Sequence, residues 1–75
     1  MTAKEYIDEK LGQLNKPQLI KDLVLLKGWK QPTIESSFSR ATISFNMAKD
    51  LQDLTAVHMA FWQDPVVFNE KGEKR

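Results

Sequence analysis

Apolar residues recur along this chain mostly at helical spacing, and the stripes they draw divide it into successive amphipathic segments. Ile7, Leu11 and Leu14, separated by polar residues, mark a first helix from about Ala3 to Leu14 with one narrow apolar stripe. Thr2 and Glu5 have the spacing of a capping box, in which hydroxyl and carboxylate each satisfy an open amide at a helix start. Asn15 is placed to cap a second helix over 17–27, with Pro17 in a first turn where its missing amide hydrogen costs nothing. Leu19, Ile20, Leu23, Val24, Leu25 and Leu26 make this the most apolar segment, and the expectation is that it is the most buried one. Gly28 ends it, because glycine enters the left-handed conformation without steric cost, and Trp29 is expected to fold back on the last turn.

Pro32 opens a third helix in which Ile34, Phe38, Ala41, Phe45 and Ala48 form one stripe. A second stripe, Ile43, Met47, Leu51, Leu54, Phe61 and Trp62, begins before the first has ended. No Gly or Pro interrupts Thr33 to Asp64, and one unbroken helix over 33–63 would be about 46 Å long, too long for so small a core. The overlap predicts a break near Asn46 to Asp50, with Asp50 capping a fourth helix. The expected fold is therefore all-α, a bundle of three to four helices over about 3–14, 17–27, 32–46 and 50–63. An alternative pairs TISFNM (42–47) with AVHMAFW (56–62) as a hairpin spanning 42–62, which would make a winged helix. The intervening AKDLQDLT lacks the turn residues of a hairpin. Pro65 ends the last helix, Val66, Val67 and Phe68 form an apolar C-terminal arm, and the charged stretch 69–75 reads as a disordered tail following a single domain over 1–68.

With 75 residues and no Cys, the chain has one core and no disulfide to reinforce it, so a partner subunit is the open route to extra stability. The lack of Cys suits a reducing compartment, and MTAKEYIDEK has neither the basic start nor the apolar run of a secretory signal, so a cytoplasmic location and no membrane contact are expected. Net charge is +1, unevenly spread: 1–15 carries −1, 16–40 carries +3 and 41–75 carries −1. Positive charge thus collects around the corner between the second and third helices.

Candidate chemistry is sparse. His58 is the sole imidazole and has no carboxylate at helical spacing to orient it, no Cys and no second His with which to share a metal. Ser36, Ser37, Ser39 and Ser44 lack an evident base. No enzymatic activity, metal or cofactor is expected.

The segment QLIKDLVLLKGWKQPTIESSFSRA, residues 18–41, resembles a helix-turn-helix: a helix ended by Gly28, a short turn with Trp29 inward, and a second helix with Ile34 buried against the first. The resemblance implies double-stranded DNA as partner and a role in transcription. Gln31, Thr33, Ser36, Ser37, Ser39 and Arg40 would form the reading face, small hydroxyls permitting close approach, while Lys27 and Lys30 would hold phosphates. The sequence departs from the pattern at Val24, where a smaller residue is usual at the helix crossing, and at Ser37 beside Phe38, where the buried position is displaced by one.

A second reading makes the protein a small regulator or inhibitor that docks on another protein through a helical face or the apolar arm. Trp29, Phe61, Trp62, Val66, Val67 and Phe68 are its candidate contacts, since large aromatics anchor interfaces at small entropic cost, and they equally suit a homodimer.

Overall fold

The fold is all-helical. In the computed structural model, which describes residues 1–75, five helices follow one another: α1 (Ala3–Gln13), α2 (Lys16–Lys27), α3 (Gln31–Arg40), α4 (Phe45–Thr55) and α5 (Met59–Gln63). The expected capping box begins α1: the Glu5 amide donates to Thr2 Oγ1 at 3.2 Å and the Thr2 amide donates to Glu5 Oε1 at 2.9 Å. Those bonds to Thr2 hold the Glu5 carboxyl below its ordinary pKa. Asn15 precedes α2, but its side chain caps nothing; it turns the corner from α1 by adopting the left-handed conformation at φ 59°, which asparagine tolerates better than most residues. Gly28 takes φ 75° at the other end, and the Trp29 amide donates to the Leu23 carbonyl at 3.1 Å.

The break expected near Asn46 to Asp50 falls elsewhere. The third helix stops at Arg40, where Ala41 turns left-handed at φ 52°, and α4 starts after Ser44, whose Oγ accepts from the Met47 amide at 3.2 Å. Ile43, between the two helices, is buried and carries the chain into the core at that point. Asp50 is therefore no cap but a mid-helix residue. A second break follows at Ala56, left-handed at φ 62°, and His58 Nδ1 caps α5 by accepting from the Ala60 amide at 3.0 Å. Residues 42–62, alternatively a hairpin, hold α4, α5 and no strand.

One core of 13 apolar side chains draws on all five helices, with Trp62, Phe38 and Phe61 the largest fully buried members. Phe61 and Trp62 meet edge to face, their ring centroids 5.4 Å apart, which suits the ring quadrupoles. The Trp62 indole N–H is buried without an acceptor. The radius of gyration, 11.1 Å, matches the roughly 11 Å expected for a folded single chain of this length.

Residues 69–75, read from sequence as a disordered tail, form a closed turn. Phe68 and Lys74 make an antiparallel bridge, and Asn69 Oδ1 accepts from the amides of Lys71 and Glu73, each at 3.0 Å. The Arg75 guanidinium lies 4.2 Å from the centre of the Tyr6 ring, and its Nε donates to the Pro65 carbonyl at 2.7 Å. Gly72 is required here: its φ is 78°, and a Cβ would come within 2.5 Å of His58 Nδ1.

Candidate nucleic-acid interface

Helix α3 buries Ile34 and Phe38, one turn apart, and turns the rest of its ten residues outward or to the edges. It rests on both α1 and α2, so its tilt is set by two neighbours. Opposite the buried pair lie Pro32, Thr33, Ser36, Ser39 and Arg40, all exposed. This face carries one cation, three small hydroxyl side chains and no carboxylate. Glu35 stands at its edge, where its carboxylate accepts from Gln31 Nε2 at 3.2 Å. Ser37 is half-buried at the opposite edge.

The order α2, three-residue connection Gly28–Lys30, α3 has the connection length of a helix-turn-helix. Two side chains, one from the end of α2 and one from the connection, tie this corner to α4. The half-buried Trp29 donates its indole N–H to Asp50 Oδ2 at 2.7 Å, and Lys27 Nζ lies 2.7 Å from Asp53 Oδ2. The hydrogen bond to Asp53 raises the pKa of Lys27, and donation from Lys27, reinforced by its charge, lowers that of Asp53.

Of the residues expected to meet nucleic acid, the structure groups Thr33, Ser36, Ser39 and Arg40 on one exposed helix face, with Lys30 exposed just before the helix. Gln31 is exposed but committed to Glu35, and Ser37 is at the edge. Lys27 stands apart, because its ammonium is already paired with Asp53. Lys30 and Arg40, at the two ends of α3, form no ion pair.

The expected partner contacts divide differently. Phe61 and Trp62, 1% and 0% exposed, fill the core and offer nothing to a partner. Trp29 is tied to α4, and Phe68 is half-buried within the terminal turn. Val66 and Val67 remain exposed. Sequence reasoning missed Leu25, which is 73% exposed despite its place in the most apolar segment. The signal was present in the spacing, since Leu19 and Leu23 define the core line of α2 and Leu25 falls well off it.

No group of three or more His, Cys, Asp or Glu residues is arranged to hold a metal ion, and no helix is long and apolar enough to cross a membrane. Comparison with known protein families, curated proteins and solved structures finds no match in any of the three.

Proposed function

We propose that the protein binds double-stranded DNA through α3 and acts as a small transcription regulator. The observation that carries this reading is the outward face of α3, where Thr33, Ser36, Ser39 and Arg40 are exposed, with the Glu35 carboxylate at the edge bonded to Gln31, on a helix packed against two neighbours. The major groove admits an α-helix, and a polar face with three small hydroxyl side chains permits close approach. In this arrangement Thr33 and Ser36 face base edges, Arg40 pairs with a guanine edge or the adjoining phosphate, and Lys30 holds the backbone at the other end. Lys27 is not among the phosphate contacts. Its bond to Asp53, with the Trp29 to Asp50 bond, instead keeps the turn at a fixed angle to the rest of the domain.

Selection of bound duplexes from a random pool, followed by affinity measurements across salt concentrations, tests the proposal. Affinity should fall steeply between about 50 and 200 mM salt, the signature of phosphate contacts. Arg40→Ala should weaken binding about tenfold and relax the selected sequence at one position, a loss in the range of one base contact. Failure to enrich any sequence, or an Arg40→Ala variant with unchanged affinity and preference, overturns it.

A further inference from the structure

Beside the reading helix, α2 leaves apolar surface open. Pro17, Ile20, Lys21, Val24 and Leu25, with Gln31 from the start of α3, line a shallow hollow of about 310 Å³. Lys21 is exposed and forms no ion pair. After α5 the chain exposes a second apolar segment. Val66 and Val67, 47% and 39% exposed, belong to a turn fixed by three backbone bonds: Val67 and Phe68 amides to the Asp64 carbonyl at 3.2 and 2.9 Å, and the Arg75 amide to the Val67 carbonyl at 2.8 Å. Asp64, at the start of that turn, is exposed and has no cation partner.

The two surfaces match in chemistry: an apolar hollow with an unpaired cation, and an exposed apolar turn that begins at an unpaired anion. We propose that a second copy of this chain seats its Val66–Val67 turn in the α2 hollow, with its Asp64 against Lys21, and that the contact is repeated across a two-fold axis. The repeat closes the assembly as a dimer, whereas a one-way contact between unlike surfaces would propagate. The turn is already ordered by its own backbone, so little conformational freedom is lost on docking. The apolar contact supplies the driving force, while the charge pair sets the register. The dimer does not depend on the DNA-reading proposal, because neither Lys21, Asp64 nor the valine turn lies on the outward face of α3.

Sedimentation equilibrium of the full chain over a concentration series tests the contact. The chain should pass from monomer to dimer and no further. Lys21→Asp and Asp64→Lys should each weaken self-association at least about tenfold, because symmetry places the like-charge clash at two sites. The double variant should return to within about threefold of the original affinity. Leu25→Ser should also weaken the dimer, and since all these positions are exposed, unchanged helical circular dichroism separates a lost contact from a lost fold. A chain that stays monomeric, growth beyond the dimer, single charge reversals without effect, or reversals that do not rescue each other overturn the proposal. A monomer that instead takes a different protein into the hollow overturns the assignment of a second copy as occupant.

Discussion

Helix α2 carries six aliphatic side chains and buries two, whereas the five-residue α5 buries both its Phe and its Trp, and the charged turn after it is folded against α1. Apolar content and burial thus run in opposite directions in the two regions. In α2 the aliphatic residues are consecutive, Leu23 to Leu26, so they encircle the helix and a core on one side can cover only Leu19 and Leu23 completely. In α5 the helix is too short to have a broad exposed face, and its adjacent aromatics fill the space beside α4. Apolar surface left over by a finished core is where partners are to be sought.

The contrast can be broken most severely at Trp62. Trp62→Ala should cost about 3–5 kcal/mol, much of the stability of so small a domain, while Leu25→Ala should stay within about 0.5 kcal/mol. Urea unfolding of both variants, at concentrations where the chain is monomeric, measures the difference; similar losses at the two positions would contradict the burial pattern. Next in size is Trp29→Phe. It leaves the half-buried Asp50 without its indole donor and should cost about 1–2 kcal/mol. Amide exchange should then quicken along the α2–α3 turn before α5 is affected, and uniform quickening would deny this bond a local role.

A smaller effect, of opposite sign, sharpens the account of the α4–α5 corner. Ala56 is exposed and left-handed, so Ala56→Gly should stabilise the protein by about 0.5–1 kcal/mol, read as a rise in the urea midpoint. Smallest is the exposed pair at Lys27 and Asp53. Asp53, its pKa lowered when folded, contributes stability above the ordinary carboxylate range and loses it as pH falls through the depressed pKa. Lys27, its pKa raised, contributes below the ordinary lysine range and loses that contribution as pH rises through the elevated pKa. The small deficit of Asp53→Asn should therefore be present at neutral pH and vanish in acid. A deficit that persists in acid would show that the pair does not act through charge.

These effects also separate what local residue type encodes from what only tertiary contacts decide. Thr2 with Glu5, and Gly28 with Pro32, announce α1 and the α2–α3 corner because each is a local signal in residue type. The breaks at Ala41 and Ala56 carry no such signal, since alanine favours helix, and tertiary packing holds both residues in a conformation they disfavour on their own. The stripes correctly placed Met47 and Leu51 in the core, but not the corners between them; Phe61 and Trp62, expected at a partner surface, are core, and Phe45, on the other stripe, is exposed. The terminal turn was hidden for a different reason: its order comes from Asn69, Gly72 and Arg75 meeting their own backbone, His58 and Tyr6, and charge composition does not encode those contacts. At the candidate interface, the α3 hydroxyls and Arg40 were legible from helical spacing. The loss of Lys27 to Asp53 was not, since those residues lie 26 positions apart.

In the proposed complex the outward face of α3 meets duplex DNA. Amide and side-chain NMR shifts recorded while the protein is titrated with a selected duplex test it most directly. The largest shifts should fall at Lys30, Thr33, Ser36, Ser39 and Arg40, with α5 and the terminal turn nearly unmoved. Shifts concentrated at Val66 and Val67 with α3 silent, or no shifts at low salt, would contradict it.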